Sequence, residues 1–146
     1  MHHVARFAVF LALAVPVAGL VGCADDGSSG GTTPGSIFFP TPTYGAIAVS
    51  QGDGAAGITA NYSSQRRAND EAVNQCRSGI TSGVGACVVV LEYESNRCGA
   101  LARSAISATM GWASDRSRSD ARAKAVNECT NRGGIACSVV LQECND

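Results

Sequence analysis

Small apolar residues recur at helical spacing in two segments of this chain. In each segment they stand three or four residues apart, which places them on one face of a helix. The first face consists of Ala68, Ala72, Val73 and Cys76, and the second of Ala121, Ala125, Val126 and Cys129. After each segment, apolar and polar residues alternate with the period of two that is typical of a strand with one buried face. The inward residues of these strands are Cys87, Val89, Leu91 and Tyr93, and then Cys137, Val139 and Leu141.

The ends of both predicted helices carry residues that favour helix termini. Ser63 or Ser64 can cap the free N–H groups of the first helix. Ser117, with Asp120 three residues later, forms a loose capping box for the second helix. Glycines that stop a helix follow each segment, at Gly79 and at Gly133-Gly134.

Four short blocks occur twice in the same order, which indicates an internal duplication. The pairs are Gly45-Ala-Ile-Ala with Gly99-Ala-Leu-Ala, Gly57-Ile-Thr-Ala with Gly111-Trp-Ala-Ser, Ala72-Val-Asn-Gln-Cys with Ala125-Val-Asn-Glu-Cys, and Cys87-Val-Val-Val-Leu with Cys137-Ser-Val-Val-Leu. Each half is predicted as strand-strand-helix-strand. Since about 50 residues would bury too little surface alone, we expect one α+β domain over residues 44–146. Its two halves would share one mainly antiparallel sheet, with both helices on one face.

The cysteines fit three disulfides within this domain. Seven are present, and an even set of six follows Cys23. Six cysteines allow fifteen pairings, but the repeat favours one of them. Cys76 and Cys129 end helices while Cys87 and Cys137 open strands, so the same staple would occur in each half, and Cys98 would pair with Cys144. We expect no metal and no cofactor, because the chain has no Cys-x-x-Cys pair.

The N-terminal segment has the pattern of a bacterial lipoprotein signal. A short basic start ending at Arg6 precedes the apolar stretch 7–18, which is too short to span a bilayer. Leu20-Val-Gly-Cys23 then matches the site at which prolipoproteins are acylated and cut. We expect a signal peptide over residues 1–22, a lipid on Cys23, and a flexible Gly/Ser/Thr/Pro tether over residues 23–43. The alternative is an ordinary signal peptide with an incidental cysteine.

The predicted location is the extracytoplasmic side of the cell envelope. Ala24 follows Cys23, so the Asp that favours inner-membrane retention in many bacteria with two membranes is missing. We expect the outer membrane in such a cell. Ile37-Phe38-Phe39 interrupts the polar tether, and either docking on the domain or contact with the membrane interface would account for it.

Composition removes most catalytic chemistry. The histidines are His2 and His3, both within the predicted signal peptide, and Lys124 is the only lysine. Histidine triads, histidine-ligated metals and free thiolates are therefore excluded from the mature chain. Carboxylates remain, and Glu92 and Glu94 stand two apart on a strand, where they project from the same face. Such a pair can do acid–base chemistry, or it can be a solvated sheet edge.

The charge pattern favours a protein partner over nucleic acid. The formal net charge is −1, without the basic balance that nucleic-acid binding requires. Arginines nevertheless gather at the two predicted helix starts, where they could contact an acidic partner. The alternative is neutralisation by the interleaved Asp70, Glu71, Asp115 and Asp120. The arginines concerned are Arg66, Arg67, Arg116, Arg118 and Arg122.

The motifs of the domain resemble a known bacterial family. Tyr44-Gly-Ala-Ile-Ala, Cys98-Gly-Ala-Leu-Ala, Gly111-Trp112 and the two Ala-Val-Asn-x-Cys helix ends are similar to the exported domain of unknown function 4189, over about Tyr44 to Cys144. The resemblance implies export, in some members as a lipoprotein. It implies no catalytic residue. Trp112 stands where the first half has Ile58, so we predict a core residue, with a binding platform as the alternative.

Together these features predict a lipid-anchored envelope protein that is not an enzyme. The expected role is non-catalytic binding of an envelope or extracellular protein, as an inhibitor or immunity protein would do. Two alternatives remain at this point: a carboxylate-dependent cell-wall hydrolase, and a structural or stress-related envelope protein.

The predicted anchor can be tested with a Cys23→Ala variant. The wild-type chain should carry acyl chains and stay in the membrane fraction, because two or three chains hold a protein stably where one is marginal. The variant should lose both the added mass and the partitioning. Intact-mass spectrometry and membrane fractionation measure these two properties, and equal results for both proteins would contradict the anchor.

Overall fold

Eight elements follow the order strand-strand-helix-strand twice within the residues that the computed structural model describes, 40–82 and 85–146. The elements are β1 (Tyr44–Val49), β2 (Ala56–Tyr62), α1 (Gln65–Ser78), β3 (Val88–Glu94), β4 (Cys98–Arg103), β5 (Met110–Asp115), α2 (Arg118–Asn131) and β6 (Ser138–Cys144). The predicted lipidation site Cys23 lies outside the described residues, as do the predicted signal peptide and residues 23–39 of the tether.

The six strands form two antiparallel sheets. Sheet A has the strand order β2-β1-β3 and sheet B the order β5-β4-β6. The predicted α+β class and the order of elements are therefore confirmed. The expectation of one shared sheet with both helices on one face needs correction. Helix α1 packs on sheet A, α2 packs on sheet B, and the two sheets pack face to face, so that the helices form opposite outer layers.

The central strands explain this layering, because both of their faces are buried. Along β1, Ala46 and Ala48 face α1, whereas Ile47 and Val49 face sheet B. Strand β4 repeats the alternation, with Leu101 between two alanines. A strand that buries both faces needs a layer on each side. The small face receives the helix of the same half, and the large face receives the other sheet.

Tyr93 joins the two sheets. It is 2% exposed, and its hydroxyl donates a 2.6 Å hydrogen bond to the carbonyl of Thr59. Burial raises the pKa of this hydroxyl above its usual range, and the charge of Glu143 raises it further. A Cβ atom on Gly99 would lie 2.5 Å from Cε1 of Tyr93, and one on Gly45 would collide with the same ring. The ring therefore needs glycine in both sheets.

Each helix approaches its sheet closely at one further glycine. A Cβ atom on Gly57 would collide with the carbonyl of Ala72 in α1, and one on Gly111 would collide with the backbone nitrogen of Cys129 in α2. In each predicted helix face the two alanines and the cysteine are fully buried, whereas Val73 and Val126 are partly buried. Within the two described ranges, no helix has the length and apolar character needed to cross a bilayer.

The helix caps agree with the sequence. Ser64 accepts a hydrogen bond from the backbone of Arg67 (3.4 Å), and Ser117 accepts one from the backbone of Asp120 (3.3 Å). Helix α1 ends before Gly79, and Gly133 takes the positive φ of 85° just after α2. Gly133 thus supplies the left-handed backbone that other residues adopt with strain.

Three disulfides join Cys76 to Cys87, Cys129 to Cys137, and Cys98 to Cys144. This is the pairing that the repeat predicted. Each short staple links the end of a helix to the start of the following strand. The third disulfide lies directly across β4 and β6, where the first half pairs Tyr44 with Glu94. Loop-closure entropy makes it the largest contribution, about 4 kcal/mol, against about 2.5–3 kcal/mol for each staple.

The end of the second half is tied to the first half. The side chain of Asn145 is buried and donates a 3.1 Å hydrogen bond to the carbonyl of Tyr93. Its Oδ1 accepts a 2.7 Å hydrogen bond from the backbone of Asn61 at the end of β2. These contacts hold the two halves together beyond the apolar layer between the sheets.

The close helix contact predicts a large effect of one methyl group at Gly111. Gly111→Ala should lower the free energy of unfolding by about 1–3 kcal/mol, because the new Cβ would overlap the α2 backbone rather than a flexible side chain. Urea unfolding measures this value. Gly52→Ala is the control: nothing lies within 4 Å of its Cβ position, so its effect should stay within about 0.5 kcal/mol. Equal midpoints for the two variants would contradict the packing described here.

Candidate functional site

The structure places the five candidate arginines in two groups, all of them exposed. Arg66 and Arg67 lie in the first turn of α1, while Arg116, Arg118 and Arg122 lie around the start of α2. The two groups therefore lie on the helices of different outer layers.

The acidic residues near α2 do not neutralise its arginines. Asp115 forms a salt bridge with Lys124 at 2.5 Å, and the other salt bridge of the described ranges joins Arg132 to Glu128 at 2.6 Å. The hydrogen bond from Lys124, followed by that from the backbone of Ser117, lowers the pKa of Asp115. Across residues 40–82 and 85–146, therefore, none of the five candidate arginines has an ion-pair partner.

An open groove runs beside α2. Its first part, about 480 Å³, is lined by Ser117, Arg118, Ser119 and Arg122. Its second part, about 490 Å³, is lined by Arg122, Ala123, Val126, Asn127, Ser138 and Val139. Arg122 borders both parts, so a cationic section adjoins an apolar one. We call these two parts together the α2 groove.

Arg118 occupies a position that helix electrostatics disfavours. The N-terminal end of a helix carries a partial positive charge, so an acidic residue in the first turn stabilises the helix and a basic one does not. Arg118 is the first residue of α2, directly after the capping Ser117. The charge of Arg118 therefore does not stabilise α2 through the helix dipole.

Glu92 and Glu94 project from the same face of β3, as predicted, with Tyr93 buried between them. Both are exposed. They line a cleft of about 360 Å³ that also contains Arg97 of the following turn. Asn69 of α1 donates a 2.6 Å hydrogen bond to Oε1 of Glu92. Glu92 is thus held against α1 by an amide.

Trp112 packs on the core, as predicted, and its ring also borders a cleft. It is half-buried and packs against the apolar layer between the sheets. The guanidinium of Arg132 lies 4.0 Å from the centre of its ring, within cation–π distance. Both residues line a cleft of about 330 Å³ together with Gln51, Thr109 and Met110. Sequence reasoning missed Arg132, because no local pattern links a residue that follows a helix to a ring on an edge strand.

Sequence reasoning also missed two exposed isoleucines on loops that are hydrogen-bonded to each other. Ile106 is 71% exposed and Ile135 is 60% exposed, on the β4–β5 and α2–β6 loops. Ser104 joins these loops, since its hydroxyl donates a 3.0 Å hydrogen bond to the carbonyl of Ile135.

In the part of the chain that the structure describes, no group of three His, Cys, Asp or Glu side chains could hold a metal ion.

Comparisons with known proteins place the domain in a family. Residues 44–144 match the family model described as "Domain of unknown function (DUF4189)". The chain belongs to this family. The resemblance carried by the Cys98-Gly-Ala-Leu-Ala block and the Ala-Val-Asn-x-Cys helix ends is thereby confirmed.

A solved structure that matches is the NMR structure of Rv1813c from Mycobacterium tuberculosis, with 24% identity over 90% of this chain and 99% of that chain, and a TM-score of 0.49. No curated protein matches this DUF4189 chain.

The position of Arg118 predicts that charge reversal does not destabilise the domain. Arg118→Glu should raise the free energy of unfolding by about 0.3–1 kcal/mol, because an acidic residue suits the first turn and pairs with Arg122 one turn later. Urea unfolding at low salt measures the change. Arg77→Glu, in the last turn of α1, is the matched control and should lower stability by a similar amount. A loss of stability in Arg118→Glu would assign that arginine a structural role.

Proposed function

We propose that this chain is a lipid-anchored protein of the bacterial cell envelope that binds a protein partner without catalysis, as an inhibitor or immunity protein does. The proposed contact surface comprises the arginine-bearing starts of α1 and α2. One observation carries the proposal: within residues 40–82 and 85–146, the five exposed guanidinium groups at these helix starts have no ion-pair partner.

Unpaired arginines support binding more than they support a structural role. An exposed arginine adds little to folding stability even when it has a partner, and these arginines have none. The guanidinium group forms bidentate hydrogen bonds with carboxylates, and arginine is enriched among the residues that dominate protein–protein binding. A chain of net charge −1 that leaves cations exposed at two helix starts suits an acidic protein surface.

The proposed anchor would keep this surface near the membrane. A lipid on Cys23 followed by the predicted Gly/Ser/Thr/Pro tether of roughly 20 residues would give the domain a reach of about 25 Å by random-coil scaling. Three disulfides suit an oxidising extracytoplasmic compartment. In a bacterium with two membranes, the proposed location is the outer membrane.

The alternative of a carboxylate-dependent hydrolase has weaker support. Such enzymes hold two carboxyl groups on either side of a bound sugar, one of them in surroundings that keep it protonated. Glu92 and Glu94 lie side by side on one face of β3, both exposed to water, and Asn69 already bonds Glu92. For a purely structural or stress-related role we find no specific supporting observation.

A pull-down from envelope extracts tests the proposal. The bait is the full chain, compared with an Arg118→Glu/Arg122→Glu variant and an Arg66→Glu/Arg67→Glu variant. These variants make the same charge change on opposite outer layers and so serve as controls for each other. We expect a specific partner that is lost with at least one of the two, identified by mass spectrometry.

Two results would contradict this proposal. One is a set of captured proteins that is identical for the wild type and both variants. The other is hydrolysis of purified peptidoglycan by the wild type that disappears in a Glu92→Gln/Glu94→Gln variant, because that result would establish the hydrolase.

A further inference from the structure

The duplication provides an internal reference for the α2 groove. Superposing Ala68 on Ala121 and Cys76 on Cys129 places Gln65 of α1 at the position of Arg118, and Asn69 at that of Arg122. On the neighbouring strands, Glu92 pairs with Ala46 in sheet A, and Gln142 pairs with the equivalent Ala100 in sheet B. Glu92 and Gln142 are therefore equivalent positions.

In the first half, these positions satisfy each other. Gln65 donates hydrogen bonds to the carbonyl of Gly45 at 3.1 Å and to Oδ1 of Asn69 at 2.8 Å. Asn69 in turn donates to the carboxylate of Glu92 at 2.6 Å. Two amides from the helix and one carboxylate from the strand thus form a closed network across the helix–strand junction.

In the second half, the same positions leave a charge without a partner. Two cations, Arg118 and Arg122, replace the two amides, while the neutral Gln142 replaces the carboxylate. Charged guanidinium donors thus stand where the first half has neutral amide donors, and a neutral amide stands where it has a carboxylate acceptor. The guanidinium groups line an open groove instead of closing on the strand. What this half lacks, relative to the other, is a carboxylate.

We propose that the α2 groove binds an extended segment of a protein partner that presents a carboxylate to Arg118 and Arg122 and an apolar side chain to Val126 and Val139. This inference rests on the proposed function, since it names the chemistry of the partner. Arg122 and Val126 are four residues apart on α2, which is about 6 Å along the helix axis. Alternate side chains of an extended peptide are about 6.6 Å apart on one side. For a segment that runs parallel to α2, the match is Asp or Glu two residues before an aliphatic residue.

The apolar part of the groove favours a peptide over an anionic polymer. Ala123, Val126 and Val139 line the part that follows Arg122. A polyphosphate or nucleic-acid chain could reach the arginines but would place a charged backbone along this apolar part. A peptide can place an acidic and an aliphatic side chain in the two parts at once.

Binding of defined peptides to the full chain in detergent micelles tests the inference. The probe is fluorescein-labelled Gly-Ser-Glu-Ser-Leu-Ser-Gly, and the controls replace its glutamate by glutamine or its leucine by serine. We expect each control to bind at least about tenfold more weakly, as the loss of a charge-assisted hydrogen bond or of a buried aliphatic group would produce. Fluorescence anisotropy gives the dissociation constants. Absence of binding by the probe, or equal binding of all three peptides, would overturn the inference, as would equally tight binding of inorganic polyphosphate.

The Gln142→Glu variant gives a second test that leaves both arginines in place. It restores in the second half the carboxylate that Glu92 supplies in the first, so it should occupy the arginines and weaken peptide binding at least about tenfold. Val140→Glu, on the same exposed edge strand, adds the same charge at a different position and should weaken binding less. Unchanged binding by Gln142→Glu, or an equal loss in both variants, would overturn the role assigned to the missing carboxylate.

The outcomes separate this inference from the proposed function. If Arg118→Glu/Arg122→Glu loses the envelope partner while Gln142→Glu keeps it and the peptide does not bind, the partner-binding role stands and the acidic-segment inference fails. If no variant affects any captured protein but the peptide binds as expected, the groove has the inferred chemistry and the proposed contact surface is wrong.

Discussion

The close approach of backbone to backbone at small residues is the constraint on which the rest of this domain depends. Each helix lies against its sheet through alanines and a single glycine, Gly57 or Gly111, whose Cβ would collide with the helix. Such a surface removes little apolar area from water and therefore contributes little free energy. The disulfides Cys76–Cys87 and Cys129–Cys137 compensate for this, because each ties the end of a helix to the strand that follows it.

The large apolar side chains lie between the sheets, and there the two halves cease to be equivalent. Tyr93 pairs with Gly45, whereas the equivalent partner of Gly99 is Glu143, an exposed residue. One ring therefore contacts the glycines of both halves, and the space between the sheets does not need a second. Asn145 adds a buried hydrogen bond to the carbonyl of the same tyrosine. Tyr93 and Asn145 thus depart from the repeat, and their contacts join the two similar halves into one domain.

Local signals in the sequence were sufficient for the elements, their caps and the disulfide pairing, since each depends on neighbouring residues or on the repeat. The number of sheets depends on which strand faces pack against each other. Apolar residues with a period of two identify the buried face of a strand, but they do not show whether a helix or another sheet covers it. The signal that was missed is the alternation of size along β1 and β4, with alanines on one side and Ile47 or Leu101 on the other. Contacts between distant segments, such as that of Arg132 with Trp112, produce no periodic pattern in the sequence.

The sequence identified the candidate arginines but not whether they form ion pairs, because acidic residues are interleaved with them along the chain. The structure answers this for Asp115, which pairs with Lys124 instead of an arginine. A duplicated fold makes the remaining difference interpretable. The Gln65, Asn69 and Glu92 network satisfies its own polar groups, and that half has no need of a partner at this position. At the equivalent positions around α2, Arg118 and Arg122 are charged donors, and the neutral Gln142 replaces the carboxylate. Folding gains nothing from that change, because cations near the start of a helix oppose its dipole. A contact made outside the chain is therefore the simplest reason for the change.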